Sequence, residues 1–328
     1  MLQQTQVATV LPYFERFLSS FPTISALAAA DEQHLMTHWE GLGYYRRARL
    51  MHAAAKQIVL DYDGVFPETY DEVLALPGIG RYTAGAILSI SGAQRLPILE
   101  GNTQRVFSRW IALRAPAMEP HANKLLWSVA EAMLPRRDPG TFNQAAMELG
   151  ALVCTPRNPG CGACPVKGSC QAQKLGLVDQ IPGKISRMQY EDRTEHAFVV
   201  SHPKRQKRAS VRYLVRPLPE GRRWAGLWDF PRTSETASRD VDHAADLLSD
   251  EIGVKIIPGV RLLTIKHAVT KYRISLHVHE ATFCRSSETP GRPWKYVTLA
   301  EMADLPMSVT GRKIAKQLGT DRQTRLPL

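Results

Sequence analysis

Four of the chain's five cysteines crowd into one short stretch, CTPRNPGCGACPVKGSC, as Cys154, Cys161, Cys164 and Cys170. The spacing C-x6-C-x2-C-x5-C lets four thiolates close a tetrahedral shell on zinc or hold the irons of a [4Fe–4S] cluster. The Pro and Gly residues between them allow the tight turns either needs. Spacing alone leaves the two open. An odd cysteine count with local clustering is unlike a secreted disulfide framework and points to a reducing compartment. Cys284 stands apart in a strand-like stretch and reads as a small buried hydrophobe. The cysteine run also divides the chain, because the sequence changes character on either side of it.

Before it, the pattern is helical. Val7, Val10, Leu11, Phe14, Phe17, Leu18 and Phe21 form one apolar stripe that starts almost at Met1, with no capping residue ahead of it. The basic leader and small-residue cleavage site of a signal peptide are missing. Thr23 is expected to cap a helix running through Leu27 and Leu35. RLMHAAAKQIVLDY predicts another, stopped by Asp63-Gly64. Thr69 and Glu72 have the spacing of a capping box and open a helix in TYDEVLAL. Further helices are expected over 83–91, 123–133 and 142–153.

After it, GLVDQIPGKISRMQYEDRTE is polar, broken by Pro182 and Gly183, and reads as a linker. Beyond the linker the period is two. Tyr272, Ile274, Leu276 and Val278 alternate with Arg273, Ser275, His277 and His279. HAFVV, ASVRYLV and RLLTIKHAV are also strand-like, and VDHAADLLSDEI and GRKIAKQL are helical, which makes an α+β second domain.

The chain of 328 residues carries 42 Lys and Arg against 31 Asp and Glu, a formal net charge of +11. That excess suits a polyanionic partner, nucleic acid before anionic membrane. No apolar run is long enough to cross a bilayer. One motif turns the charge into a mode of contact. In LALPGIGRYTAGAIL, Pro77, Gly78 and Gly80 interrupt one helix and Thr83–Leu88 resumes another, a helix–hairpin–helix pattern. The glycines let the backbone turn sharply and approach a ligand, and the hairpin N–H groups would face a phosphate without reading sequence. Leu76 and Ile79 would pin the hairpin to the core. An ordinary αα turn containing Gly is the plainer reading.

The hairpin, a carboxylate downstream of it and the cysteine spacing, in that order, resemble the helix–hairpin–helix DNA glycosylases. Within these, MLQQTQVATVLPYFERF, WEGLGYYRRAR, LPGIGRYTAGAI, FNQAAMELGALVCTPRNPGC and GLWDFP look like segments of the MutY adenine glycosylases. The resemblance spans nearly the whole chain. It implies an all-α glycosylase domain over 1–175 with a [4Fe–4S] loop at 154–170, a linker at 176–194 and a Nudix-like lesion-recognition domain over 195–320. The implied activity is base excision repair, the hydrolysis of the N-glycosidic bond of adenine mispaired with 8-oxoguanine or guanine. The implied partner is double-stranded DNA bearing such mispairs, with no membrane, bound by a monomer in a bacterial cytoplasm.

Such an enzyme must flip adenine out of the stack and fill the gap. The resemblance gives that task to Gln4 and Tyr44, with Gln3 and Leu42 beside them; otherwise these would be a helix-surface Gln and a core Tyr. Gly78 and Gly80 carry the DNA-binding hairpin, and Arg157 and Lys167 of the cysteine loop would face phosphates. By the same resemblance Glu100, in LPILEGNTQRV, would be the carboxylate that stabilises the oxocarbenium-like sugar. Most relatives carry Asp there, and on sequence alone Glu100 is a solvated carboxylate ahead of a helix. Asn102 is expected to orient it. Gln144 matches a position that the resemblance gives to adenine, where its amide would serve as donor and acceptor. At Tyr82 the bifunctional relatives carry a Lys that forms a Schiff base; a phenol cannot, so excision is expected to be monofunctional.

Three departures stand out. The loop that reads 8-oxoguanine is usually Phe-Ser-His and is here Val269, Thr270 and Lys271. The Nudix box keeps Asp250, Glu251 and Gly253 but lacks the Arg-Glu before them, so no nucleoside-diphosphate hydrolysis is expected. The family's adenine-protonating Glu would fall two residues before Met1: either the written start is too late or the general acid is missing, and the chain as written is expected to excise slowly or to bind the lesion without catalysis.

Overall fold

The computed structural model describes residues 1–3, 5–183, 189–202, 211–221, 223–233, 240–284 and 291–324, the side chains of 321–324 apart. The chain divides into two compact units, Ala53–Arg187 and Met1–His52 together with Met188–Leu328. The division does not follow linear order, since the first helices group with the C-terminal part.

The opening helices are α1 (Val7–Ser20), α2 (Ile24–Ala29), α3 (Glu32–Trp39) and α4 (Arg46–Asp61). Only part of the first apolar stripe is buried. Val10, Phe17 and Phe21 pack inward, whereas Val7, Leu11, Phe14 and Leu18 are exposed. The single helix expected from Thr23 to Leu35 is two. The Thr23 hydroxyl accepts from Ala26 N–H, the helix ends at Ala29, and the Asp31 carboxylate then accepts from Gln33 and His34 N–H to start the next. Asp31 competes for the backbone and favours a cap over a helix interior.

The unit Ala53–Arg187 is helical. It holds α5 (Tyr70–Ala75), α6 (Arg81–Ile90), α7 (Gly101–Trp110), α8 (Pro120–Met133), α9 (Pro139–Glu148) and α10 (Gln171–Lys174). Its core gathers Leu99, Val106, Phe107, Leu126, Ala130 and Ala146, with a second cluster of Val73, Ala84 and Leu88. Helices α6 and α9 meet closely at Gly140, where a Cβ would collide with the Ser89 carbonyl. The helix expected over 142–153 is regular only to Glu148. Leu149–Val153 widens into a π turn, with Cys154 N–H donating to Leu149 O at 2.7 Å. Gly150 presses there against Asn102, and a Cβ on it would leave no room.

The C-terminal part carries β1 (Glu191–Val200), β2 (Arg212–Pro217), β3 (Trp228–Asp229), α11 (Val241–Ile252), β4 (Ile256–Val269), β5 (Tyr272–Phe283), β6 (Lys295–Thr298), α12 (Leu299–Ala303) and α13 (Val309–Thr324). One sheet runs β1-β5-β4, with β1 parallel to β5 and β4 antiparallel to it; the other runs β3-β2-β6, all antiparallel. Both faces of β1 are covered. Ala197 and Val199 join a core with Leu276, Val278, Met307 and Ile314, while Phe198 and Val200 join Leu248, Ile252 and Ala281 beneath α11. Cys284 is exposed and not buried as expected. Even-numbered β5 residues feed the first core and odd-numbered ones the second, and Cys284 follows the last strand residue, past the end of both. Among the described residues no helix is long and apolar enough to cross a membrane.

Candidate active site and nucleic-acid interface

Glu100 is not simply solvated. It is the N-cap of α7, and both carboxylate oxygens are engaged: Oε1 accepts from Thr103 N–H and Oε2 from Asn102 N–H, each at 2.9 Å. Thr103 Oγ1 accepts in return from Glu100 N–H at 2.8 Å, which closes a capping box. Glu is an uncommon N-cap, since Ser, Thr, Asp and Asn reach the first-turn N–H groups with shorter side chains. Here the extra methylene is taken up by folding the side chain back over the helix start. The positive end of α7 thus faces the carboxylate.

Asn102 is held from the side. Its Oδ1 accepts from Arg105 Nη2 at 2.9 Å, and the same guanidinium donates to Gly150 O and Cys154 O, each at 2.7 Å. Arg105 therefore joins the Glu100 cap to the π turn and the first cysteine. Burial pulls its guanidinium below the ordinary arginine range, against the opposing pull of the Cys154 and Glu100 charges.

Tyr82 lies half-buried on α6 and donates to Met147 Sδ on α9 at 3.4 Å. Burial first, and then the Glu100 carboxylate, push its phenol above the usual value of 10.0. Phenol and carboxylate are therefore electrostatic neighbours. Gln144 sits on α9 one turn before Met147, on the same face, with its side chain exposed. The residue before it is buried. Asn143 Nδ2 donates to Ser89 Oγ and to Leu96 O, both at 2.9 Å, tying α9 to α6 and to the segment that leads into Glu100.

The hairpin has the expected form. Gly78 has φ +79, a left-handed conformation that favours glycine, and Ile79 N–H closes the turn on Leu76 O. Leu76 is buried and Ile79 packs on the Val73–Ala84–Leu88 cluster. Gly80 is the N-cap of α6 and has no side chain to occupy its first-turn N–H groups. An uncapped helix start of this kind is suited to a phosphate.

Cys154, Cys161, Cys164 and Cys170 line one cavity, whose other walls include Val106, Leu149, Val153, Val166 and Val178. Among the described residues no three or more His, Cys, Asp or Glu are arranged to hold a single metal ion. Four thiols around an apolar cavity, but not gathered on one point, fit a polynuclear cluster better than one zinc with bonds of about 2.3 Å. The charge of such thiolates is met by Arg109, whose Nη1 lies 3.3 Å from Cys154 Sγ while also donating to Thr155 O. Burial and the neighbouring thiols push the Cys161 thiol up. Arg157 is exposed, and Lys167 Nζ donates to Gly162 O within the loop.

The remaining expected residues belong to the other unit. Gln4 lies outside the described residues. Gln3 is exposed and Leu42 is buried. Tyr44 is not a core tyrosine: it is 61% exposed with φ +47, an outlying conformation for a non-glycine residue. Arg47 organises this region. It donates to Met1 O, Gln3 O and Thr5 Oγ1, and its guanidinium lies over the Tyr44 and Trp39 rings. Thr270 occupies the tip of the β4–β5 turn at φ +51 between Val269 and Lys271, and Lys271 Nζ pairs with Glu191 at 2.5 Å. Glu251 is paired with Arg216, and Gly253 is the left-handed C-cap of α11.

Sequence reasoning passed over Arg47, Thr103, Arg105, Arg109 and Asn143. Thr103 alone had a visible signal, at the N3 position of a box whose cap is Glu. The arginines act on main-chain oxygens, which leave no pattern in a sequence.

Residues 1–132 match the HhH-GPD superfamily base excision DNA repair proteins, 154–170 the iron–sulfur binding domain of endonuclease III, and 206–317 the NUDIX domain. The chain is 30% identical to an adenine DNA glycosylase of Mus musculus, over 98% of this chain and 71% of that one. It is 31% identical to one of Rattus norvegicus, over 96% and 69%. With one of Buchnera aphidicola it shares 42% over 70% of this chain and 65% of that one. With the repair-domain match ahead of the iron–sulfur match, and with relatives at 30% identity or more over most of both chains, the chain belongs to the adenine DNA glycosylase family of base excision repair enzymes.

Proposed function

We propose that the chain excises adenine mispaired with 8-oxoguanine, by hydrolysis and without a lyase step. The observation that carries the reading is Glu100, a carboxylate fixed at both oxygens by a helix N-terminus.

DNA is held at phosphates by the Gly78–Gly80 hairpin and the start of α6. Adenine leaves the stack, and the exposed, aromatic Tyr44 fills the gap with Gln3 beside it. The Gln144 amide meets the adenine edge as both donor and acceptor. As the glycosidic bond lengthens, positive charge grows on the sugar, and the Glu100 carboxylate stabilises it without moving. Adenine departs with the bonding electron pair, water adds its hydroxyl to the sugar carbon, and the proton that water gives up ends on the free base. A lyase step needs an amine to form a Schiff base, and Tyr82 supplies a phenol at that position. Cys154, Cys161, Cys164 and Cys170 would hold the iron–sulfur cluster, and bonds from the four thiolates to iron would fix the loop. Thr270 and Lys271 read the base opposite adenine. Glu251, tied to Arg216, is not free to hold a metal for nucleotide hydrolysis.

The test is single-turnover release of adenine from duplexes with 8-oxoguanine, guanine or cytosine opposite, with borohydride added in parallel. Release that is slow in absolute rate but quickest opposite 8-oxoguanine, slower opposite guanine and slower still opposite cytosine, with no trapped protein–DNA adduct, is expected. Equal release from all three duplexes, or a trapped adduct, overturns the reading.

A further inference from the structure

The turn that presents Tyr44 is built from unusual backbone. Gly41, Gly43 and Tyr44 have φ of +97, +71 and +47. Gly41 has no room for a Cβ against the Tyr13 hydroxyl, and Trp39 Nε1 donates to Gly43 O at 3.1 Å. Leu42 is buried between them. Such a turn needs support on both flanks. Both supports come from the C-terminal part of the chain, more than 170 residues away in sequence.

On the first flank, Glu40 receives a bidentate pair from Arg312 on α13, with Nε to Oε1 at 2.6 Å and Nη2 to Oε2 at 2.7 Å. Glu40 Oε2 also accepts from Met307 N–H at 3.2 Å. Arg312 is itself fixed, because Nη1 donates to Met302 O and Nη2 to Leu305 O, each at 2.7 Å. Paired forks of this kind fix direction as well as distance. On the second flank, Arg49 donates to Ala225 O and lies against Gly226, where a Cβ would collide with the guanidinium. Glu32 holds the other edge of Arg49 at 2.7 Å.

We propose that Glu40 and Arg312 are positioning residues for base extrusion: the C-terminal part clasps the Gly41–Tyr44 turn and sets the posture of Tyr44. This rests on the proposed role of Tyr44 in filling the gap. Neither Glu40 nor Arg312 touches a reacting atom in this scheme; they act through the turn. Loss of the C-terminal part would then impair extrusion as well as the reading of the opposite base.

The test uses the full chain and a duplex with 2-aminopurine opposite 8-oxoguanine, whose fluorescence rises when the base leaves the stack. Wild type is expected to give that rise. Glu40→Gln and Arg312→Ala are each expected to lower the extrusion equilibrium on the order of ten-fold. The exchange Glu40→Arg with Arg312→Glu is expected to recover most of it, with iron content and overall DNA retention unchanged throughout. Single variants equal to wild type overturn the clasp, and so does a double variant no better than the singles. No rise in wild type itself overturns the role of Tyr44, and with it the inference, while leaving the two failures distinct.

Discussion

The two units differ in what their arginines hold. In Met1–His52 with Met188–Leu328, guanidinium groups pair with carboxylates as well as with main-chain oxygens: Arg232 with Glu195 and Asp229, Arg216 with Glu251, Arg273 with Asp192, Arg312 with Glu40. In Ala53–Arg187 they seek main-chain oxygens. Arg95 donates to Glu131 O and Leu134 O, Arg105 to Gly150 O and Cys154 O, and Arg109 to Thr155 O and Ile181 O. Among the described residues, no ion pair falls within Ala53–Arg187. The difference has a chemical point. A carboxylate that must oppose growing positive charge on a sugar loses value if a cation already sits on it. Glu100 is oriented by neutral N–H groups, so its position is fixed and its charge is not spent on an ion pair. The C-terminal part, which by this reading breaks no bond, can use its carboxylates as fasteners.

The largest effect expected from this contrast is at Glu100. Glu100→Gln should lower the single-turnover rate of adenine release by about three orders of magnitude while leaving duplex affinity nearly intact. A ten-fold loss or less would mean that the charge matters little and the cap is only structural. Next is Arg232, buried between two carboxylates. Arg232→Ala leaves Glu195 and Asp229 without it and should cost the C-terminal part about 3–5 kcal/mol, seen by denaturant unfolding. Cluster absorbance should persist at denaturant levels where that part has melted. Asn143→Ala, in the helical unit, removes two buried hydrogen bonds and should cost about 1–3 kcal/mol. A larger loss in excision rate than in duplex affinity is expected with it, because α9 carries Gln144. The smallest effect is with pH. Burial, aided by nearby cations, holds His267, His277 and His279 below their ordinary 6.5. Between the folded and unfolded values the unfolded chain binds more protons, so their contribution is present above about pH 6.5 and is lost as pH falls. Acid titration should therefore loosen the C-terminal part first, and simultaneous melting of both units would blunt the contrast.

Much of this was legible in the sequence, and the exceptions follow a rule. Features that depend on residue type at fixed spacing were readable: the hairpin glycines, the four cysteines, the strand alternation through Tyr272–Val278, the helix over 241–252. What depends on a contact far along the chain was not. Thr23 signals a helix start, but Asp31 starts another only eight positions on, and propensity alone does not say whether Asp31 caps a new helix or sits inside the first. At the π turn over Leu149–Val153, Gly150 meets Asn102, a fact of packing that the sequence does not announce. Glu100 was singled out by the motif around it, yet its cap geometry needed coordinates, as did every arginine bonded to a carbonyl. The burial of Cys284 failed for a smaller reason, since a period-two pattern tells the faces of a strand apart but not where the covering core stops.

Tyr44 carries one further consequence. A left-handed φ of +47 costs a residue with a Cβ roughly 1–2 kcal/mol that glycine would not incur. Replacing Tyr44 by Gly should therefore raise the melting temperature of the free protein, in the very change that removes its proposed gap-filling ring. An engineer selecting variants for heat tolerance alone would be drawn to this position and would keep a sturdier protein that had lost its grip on the mispair.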